Sequence, residues 1–257
     1  MIKHKTCRLF ILIVLFPIIL YSQNNYNGKQ FWNETGDYYS APLHWEGNNI
    51  LTFGLIAVGT FGIMQFDDTI KDEVAKINYN KKNWLMEAGR YWGEPIPSMV
   101  LSGALLLHGI TTDDKTTQKI GFEIGQSFIY SVSVTGALKI VLGRARPYTG
   151  SSANTFAPFS FTNSNWSHPS GHATVAFSLS TVLATNTNNN ALKVLAFVPA
   201  LLTAASRVYQ NYHWTSDVFL GAVIGYFTGR FITDLHKQKE VGPIIYNAPL
   251  VSLSFSF

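Results

Sequence analysis

The stretch that links the last two apolar segments of the chain reads Ser206-Arg207-Val208-Tyr209-Gln210-Asn211-Tyr212-His213-Trp214-Thr215-Ser216-Asp217. The flanking segments, residues 192–206 and 215–235, have the length and apolar content of helices. Arg207 thus ends one predicted helix, and His213 begins the next. His213 and Asp217 are four residues apart and share a helix face, where a carboxylate can hold an imidazole in one tautomer and stabilise its charged form. Taken alone, the pair is equally compatible with an ordinary surface ion pair.

A second motif stands immediately before the apolar residues 173–183 and reads Pro169-Ser170-Gly171-His172. The backbone N–H groups at the start of a helix lack partners and form a ready site for an anion. Gly171 lets the backbone approach a phosphate closely, and His172 in the first turn would be aimed at the same anion. The alternative for this motif alone is a helix-capping Ser170 with a solvent-facing histidine.

The third motif lies nearer the N-terminus and reads Lys139-Ile140-Val141-Leu142-Gly143-Arg144-Ala145-Arg146-Pro147. Lys139 and Arg146 are seven residues apart, about two helical turns, so both are predicted to point the same way. Because proline disfavours helix in the residue before it, Pro147 predicts that Arg146 lies at the mouth of the helix. On its own, a basic pair at a helix C-terminus can also simply complement the helix dipole.

Apolar, helix-like segments recur along the chain, at residues 50–66, 99–110, 120–142, 172–185, 192–206 and 215–235. They predict an all-α fold, a helical bundle of about six main helices. The third helix would run toward Lys139 and Arg146, and the fourth would leave from His172. The fifth would return to Arg207, and the sixth would leave from His213. The three motifs should therefore meet at one end of the bundle and form one active site there.

The rest of the chain divides into three parts by composition. Residues 1–22 have a basic start followed by an apolar run, and they are predicted to be a signal peptide for export, or alternatively an uncleaved anchor. Residues 23–49 are polar and aromatic, and they are predicted to form a surface arm ahead of the helical domain at residues 50–235. The C-terminal tail, residues 236–257, ends with apolar residues at alternate positions, which is the period of a strand.

Composition narrows the class of protein. Hydrophobic residues make up 47% and charged residues 13% of the chain, against about 25% charged in typical soluble domains, which indicates a helical protein in or near a membrane. The net charge is +4, and residues 1–22 contribute three basic residues and no acid. The rest of the chain therefore carries only about one net positive charge, too little to indicate binding of nucleic acid. The single cysteine, Cys7, lies in that same segment, which excludes disulfides and thiolate catalysis in a cleaved protein.

Together the motifs supply what phosphoryl transfer requires, which is cations for the phosphate oxygens, an attacking group and an acid for the leaving oxygen. Their pattern is Lys, six residues, Arg-Pro; then Pro-Ser-Gly-His; then Ser-Arg, five residues, His, three residues, Asp. This pattern resembles that of the type 2 phosphatidic acid phosphatase and vanadium haloperoxidase superfamily, in its bacterial lipid phosphatase branch, and every position is matched. The resemblance covers roughly residues 50–235.

The resemblance implies a role for each motif residue. His213 would attack phosphorus to form a phosphohistidine, and Asp217 would orient it. His172 would protonate the leaving group and then activate water. The phosphoryl oxygens would be held by Lys139, Arg146, Arg207, Ser170 and Gly171. No metal or other cofactor is implied for phosphatases of this family.

The predicted function is a metal-independent phosphatase for phosphate monoesters or pyrophosphates, and the apolar surroundings of the motifs favour those of a membrane lipid. Three alternatives stay open: a broad-specificity periplasmic acid phosphatase, a haloperoxidase that binds vanadate at the same site, and a membrane protein with a vestigial site. The predicted partners are a phosphate-bearing substrate and a membrane but no nucleic acid, and the sequence leaves the oligomeric state open.

The export signal predicts a protein of the bacterial cell envelope, either membrane-associated or periplasmic. Basic residues near the exit of the last helix, Arg230, Lys237 and Lys239, indicate that this end is cytoplasmic. The catalytic end is therefore predicted to face the periplasm. Whether residues 50–66 and 99–110 both cross the membrane stays open.

The remaining histidines have no neighbours at the spacing of metal ligands and are predicted to be structural or solvated: His44, His108, His168 and His236. Of these, His168 lies four residues before His172 and is a candidate for a residue that supports the site from behind. Trp166 and the polar loop at residues 148–167 are candidates for the mouth of the substrate site.

Overall fold

A computed structural model of the protein describes residues 24–77 and 83–241. The predicted all-α class is confirmed, since these residues form helices and contain no β-strand beyond one isolated bridge between Arg144 and Phe156. The α-helices, in chain order, are α1 Gly28–Ser40, α2 Gly47–Met64, α3 Asp67–Lys76, α4 Trp84–Trp92, α5 Pro95–Thr112, α6 Lys115–Leu142, α7 Gly171–Thr185, α8 Asn190–Leu195, α9 Val198–Tyr209 and α10 Thr215–Val241.

All six predicted main helices are present. They correspond to α2, α5, α6, α7, α8 together with α9, and α10. The fifth is divided in two because Pro199 lies in the first turn of α9, where its missing N–H costs no hydrogen bond. Two further helices, α3 and α4, lie between α2 and α5 in a charged part of the chain.

The N-terminal arm contains a helix that docks on the bundle. Residues 28–40 form α1, and the side chain of Glu34 in this helix is fully buried. Glu34 accepts hydrogen bonds from Gln126 (2.8 Å), His236 (3.1 Å) and Lys239 (2.8 Å), which belong to α6 and α10. Most residues of α1 are exposed or half-buried, as in a surface arm, but the buried Glu34 docks this helix on the bundle, which composition does not reveal. The predicted signal peptide and the strand-like end of the tail lie outside the described residues.

Helices α7 and α10 pack against each other through small residues. Gly221, Gly225 and Gly229 occupy every fourth position along one part of α10 and so share a face. A Cβ atom at Gly221 would lie 2.4 Å from the carbonyl oxygen of Ser170, and one at Gly225 would lie 2.2 Å from that of Thr174. A side chain at either position would therefore push the backbone of α7 away. The close approach holds the start of α7 beside the start of α10.

Five helical segments of the described chain are long and apolar enough to cross a membrane: Gly47–Met64, Pro95–Thr112, Lys115–Leu142, Asn190–Tyr209 and Thr215–Glu240. Helices α2 and α5 expose large apolar side chains, such as Phe53 (56% exposed) and Leu107 (65% exposed). Apolar surfaces of this extent are stable against lipid and unfavourable in water. These helices support association of the protein with a membrane.

Candidate active site

The three motifs meet at one end of the bundle. The N–H of Ser170 donates to the carbonyl oxygen of Asp217 at 2.9 Å. The ammonium group of Lys139 donates to the carbonyl oxygen of Trp166 at 2.6 Å. The end of α6, the segment that leads into α7 and the start of α10 are thereby joined into one site.

His213 is held by a backbone carbonyl group. Its Nδ1 lies 2.8 Å from the carbonyl oxygen of Ser167 and 3.5 Å from Oδ2 of Asp217. Because a carbonyl oxygen only accepts hydrogen bonds, Nδ1 carries the proton and the lone pair lies on Nε2. Burial lowers the pKa of His213 to about 3, against the opposing effect of the Asp217 carboxylate. The imidazole is therefore neutral near pH 7.

Asp217 has a different set of partners from the one predicted. We expected it to fix the tautomer of His213, but the carbonyl group of Ser167 lies closer to Nδ1 and does so instead. The carboxylate accepts hydrogen bonds from Arg144 Nη1 (2.6 Å), His168 Nδ1 (2.9 Å), the N–H of Trp214 (2.9 Å) and the hydroxyl of Ser167. His168, which lies in the loop before α7, thus contacts Asp217 and has the supporting position in the site for which it was a candidate. Asp217 is completely buried and fixed from several sides.

Arg144 and Asp67 form a fully buried ion pair that sequence analysis did not single out. The Arg144 Nη2 atom lies 2.9 Å from Oδ2 of Asp67, and neither side chain is exposed to solvent. Arg144 also donates from Nε to the carbonyl oxygen of Ala153 at 2.8 Å. Asp67 in turn accepts a hydrogen bond from the N–H of Ser216 at 3.0 Å. The only feature of the sequence that pointed to a role for Arg144 was its position inside the first motif.

His172 lies on the other side of the site and faces a carboxylate from outside the motifs. Its Nε2 atom is 3.3 Å from Oε1 of Glu94, the residue that precedes α5. The side chain of His172 is 28% exposed. Burial and then the charge of Arg207 lower the pKa of His172 to about 4, and Glu94 opposes this shift. The imidazole is therefore neutral near pH 7.

The basic residues of the first motif are arranged differently from the prediction. Helix α6 ends at Leu142, and Gly143 follows in the left-handed conformation (φ 60°). Lys139 and Arg146 do not share a helix face, because Gly143 turns the chain between them. Arg146 lies in an extended segment, where its guanidinium donates to the carbonyl oxygen (2.9 Å) and the side-chain oxygen (3.0 Å) of Asn163.

The start of α7 combines backbone donors with a cation. Ser170 caps the helix, with its hydroxyl accepting from the N–H of Ala173 at 3.4 Å, and Gly171 is the first helical residue. The N–H groups of Gly171 and His172 belong to the first turn, where the helix itself offers no acceptor. A Cβ atom at Gly171 would lie 3.8 Å from Cε of Lys139, so the lysine side chain runs beside this turn. The arrangement can bind an anion.

Arg207 supplies a second buried cation, close to the end of α9. The residue is only 3% exposed. Its guanidinium donates to the hydroxyl of Ser206 at 3.2 Å and to the side-chain oxygen of Gln210. These contacts hold the planar set of donors in one orientation, which suits recognition of phosphate oxygens.

Three of the remaining histidines lie away from the site. His236 is fully buried between Glu34 and Glu123, with a carboxylate oxygen of each at 3.1 Å from one of its ring nitrogens. His44 and His108 are exposed. In residues 24–77 and 83–241, no group of three or more His, Cys, Asp or Glu side chains is arranged to hold a metal ion.

A cavity of about 210 Å³ lies beside His213, between α3 and the loop that follows α9. Its lining includes Lys71 of α3, whose ammonium group lies 5.4 Å from the centre of the Trp214 ring.

Comparisons with known proteins identify the family of this chain. The model of the PAP2 superfamily matches residues 121–240. The undecaprenyl-diphosphatase of Sulfolobus acidocaldarius is 30% identical over 172 residues, which cover 65% of this chain and 77% of that protein. The lipid A 1-phosphatase of Porphyromonas gingivalis is 34% identical over 114 residues, covering 42% of this chain and 23% of that protein.

The fold is similar to that of a solved structure. The first transmembrane PAP2 type phosphatidylglycerolphosphate phosphatase from Bacillus subtilis superposes with a TM-score of 0.56 at 22% sequence identity, covering 74% of this chain and 94% of that one. The chain belongs to the PAP2 superfamily, and the resemblance inferred from the three motifs is confirmed. Because its relatives are named phosphatases, the protein is a phosphoric-ester hydrolase of the PAP2 type.

Proposed function

We propose that the protein hydrolyses the phosphate group of a membrane lipid without a metal ion, through a phosphohistidine formed at His213. The observation that carries this proposal is the hydrogen bond from Nδ1 of His213 to the carbonyl oxygen of Ser167, at 2.8 Å. It leaves the lone pair of Nε2 unprotonated, as a nucleophile requires.

In the first step, Nε2 of His213 forms a bond to phosphorus while the bond from phosphorus to the leaving oxygen breaks. The ring becomes positively charged, and the buried carboxylate of Asp217 stabilises that charge. Charge that develops on the phosphoryl oxygens is stabilised by nearby donors. We assign this role to Lys139, Arg146, Arg207 and the start of α7 at Ser170 and Gly171, where the backbone N–H groups of Gly171 and His172 have no acceptor within the helix.

His172 would donate the proton that the leaving oxygen needs. Burial and Arg207 lower the pKa of His172 to about 4. A bound phosphate brings negative charge beside this ring and raises its pKa, because an opposite charge favours the protonated form. Substrate binding therefore favours protonation of His172 before the bond from phosphorus to the leaving oxygen breaks.

The second step returns the site to its starting state. Neutral His172 takes a proton from water as the water oxygen bonds to phosphorus. The bond between phosphorus and Nε2 of His213 breaks, and inorganic phosphate leaves. No proton or electron is gained or lost by the protein over the full cycle.

The lipid substrate and the location are part of the same proposal. The five apolar helical segments and the names of the relatives support a phosphate carried by a membrane lipid. We propose that the site faces the periplasm, since Arg230, Lys237 and Lys239 lie in the half of α10 away from His213 and basic residues favour the cytoplasmic side.

The test is phosphate release by the purified protein in detergent with a metal chelator present. The panel contains phosphatidate, an isoprenoid diphosphate and a water-soluble aryl phosphate. His213→Ala should lower turnover of the preferred substrate by about 10³-fold or more, because the nucleophile is lost, while exposed His44→Ala should keep it. Near-normal turnover in His213→Ala would exclude the mechanism. Release mainly from the aryl phosphate would indicate a broad-specificity enzyme, and vanadate-dependent bromination would indicate a haloperoxidase.

A further inference from the structure

Helix α4 and the residue before α5 place three charged side chains beside the active site. This charged cluster consists of Glu87, Arg90 and Glu94, and none of the three belongs to a sequence motif. Arg90 pairs with Glu87 (3.0 Å from Nε to Oε2) and also with Glu94. The second oxygen of Glu87 accepts a hydrogen bond from Gln210 at 2.6 Å, and Gln210 in turn accepts one from Arg207.

Glu94 is the member of this cluster that contacts His172. Its Oε1 atom lies 3.3 Å from Nε2 of His172. An oxygen that accepts a hydrogen bond from the same nitrogen lies about 3 Å from it. Nε2 carries a single hydrogen, so it donates either to Glu94 or to the leaving oxygen. When it donates to the leaving oxygen, that oxygen lies within roughly 6 Å of the Glu94 carboxylate.

The three side chains of the charged cluster carry one net negative charge, because Arg90 is shared between two carboxylates. The positive charge of Arg207 adjoins the cluster through Gln210, on the side of Glu87. At a separation of about 6 Å in a partly buried site, unit charges interact strongly and are poorly screened. A phosphate monoester releases an uncharged alcohol beside Glu94. A diphosphate releases a second phosphate group there, and its negative charge is repelled.

We propose that Glu94 is a specificity-determining residue, whose carboxylate shifts the selectivity of the site toward phosphate monoesters and away from diphosphates. This inference rests on the proposed function, in which His172 faces the leaving group. It names the class of leaving group that the site favours, an uncharged hydroxyl.

The test uses two substrates that share one lipid tail, farnesyl monophosphate and farnesyl diphosphate. The same terminal phosphoryl group is attacked in both, and only the charge of the leaving group differs. We expect Glu94→Gln to raise the ratio of kcat/KM for the diphosphate to kcat/KM for the monophosphate by about tenfold. Glutamine keeps an acceptor for His172 and removes only the charge. Glu73→Gln, which removes an exposed carboxylate of α3, should leave the ratio unchanged.

The outcomes separate this inference from the proposed function. A ratio that does not rise in an active Glu94→Gln variant overturns the role of Glu94 alone. Absence of phosphate release in the wild-type protein overturns the proposed function, and this inference with it. If Glu94→Gln is inactive on both substrates, calorimetry compares its binding of inorganic pyrophosphate and phosphate. Pyrophosphate should then gain about tenfold in affinity relative to phosphate, and an unchanged relative affinity overturns the inference.

Discussion

The Nη1 atom of Arg144 lies 2.6 Å from Oδ1 of Asp217, and neither side chain is exposed to solvent. On the other side of the same guanidinium, Nη2 lies 2.9 Å from Asp67, the first residue of α3. Arg144, from the first motif, thus connects Asp217 of the third motif to α3, a helix that contains none of the motifs. Because the guanidinium is shared between two carboxylates, it fixes Asp217 without cancelling the charge that faces His213.

Replacing Arg144 should destabilise the protein strongly. Arg144→Met leaves two buried carboxylates without a counter-ion, and breaking a buried ion pair in this way costs about 3–5 kcal/mol. The thermal unfolding midpoint of the protein in detergent measures the loss. Phosphatase activity should fall in the fraction that stays folded, because Asp217 is no longer held in place.

Arg146→Met is the matched control, since it removes the same charge from a neighbouring arginine that is only half-buried. We expect it to lower activity with a much smaller change in the unfolding midpoint. If Arg144→Met and Arg146→Met unfold at the same temperature, the buried pair does not contribute the stability assigned to it.

The two active-site histidines predict how stability depends on pH. Burial lowers the pKa of His172 to about 4 and that of His213 to about 3, whereas an unfolded histidine has a pKa of about 6.5. Between these values the unfolded chain binds protons that the folded chain does not, so acid favours unfolding. The stability that the neutral rings contribute is complete above about pH 6.5 and is lost as the pH falls through about 4 and 3.

His172→Gln removes one of these two groups. The unfolding midpoint of the variant should fall less steeply than that of the wild type between about pH 6.5 and 4.5. Exposed His44→Gln should keep the wild-type slope. A slope in His172→Gln as steep as in the wild type would mean that His172 is already protonated in the folded protein.

The sequence was sufficient to predict the fold class and the meeting of the three motifs at one end of the bundle. Six apolar segments of helical length predicted six main helices, because burial or lipid contact of such segments is the dominant contribution to folding. The direction of each helix then brought His172 and His213 to one end. The turn at Gly143 was the exception, since the spacing of Lys139 and Arg146 alone does not reveal where a helix ends.

The supporting contacts of the site could not be predicted from the sequence. A backbone carbonyl group, such as the one of Ser167 that holds His213, has no signature in residue type. Asp67 and Glu94 are distant in sequence from the motif residues they contact, and their pairing depends on how α3 and α5 pack. The same reason accounts for Glu34, whose polar helix was predicted to lie on the surface.

The close packing of α7 and α10 should be essential for the alignment of the site, and Gly225→Ala tests this. A Cβ atom there would lie 2.2 Å from the carbonyl oxygen of Thr174, a backbone atom that cannot rotate away. Helix α7 must therefore shift, and His172 in its first turn must shift with it. We expect kcat/KM to fall by about tenfold or more, because small misplacements of catalytic groups are costly. Overpacking should also lower the free energy of unfolding by about 1–3 kcal/mol.

Gly54→Ala separates this effect from the general preference of helices for alanine. Gly54 lies within the apolar helix α2, and no atom lies within 4 Å of the position that its Cβ would take. Both variants gain the same helix propensity, about 0.5–1 kcal/mol, but only Gly225→Ala forces two helices apart. Gly54→Ala should therefore keep the wild-type kcat/KM and unfold at the same temperature or slightly higher. If Gly225→Ala also keeps the wild-type kcat/KM and stability, α7 and α10 can accommodate the added methyl group without moving apart. The close contact between the two helices then does not position His172.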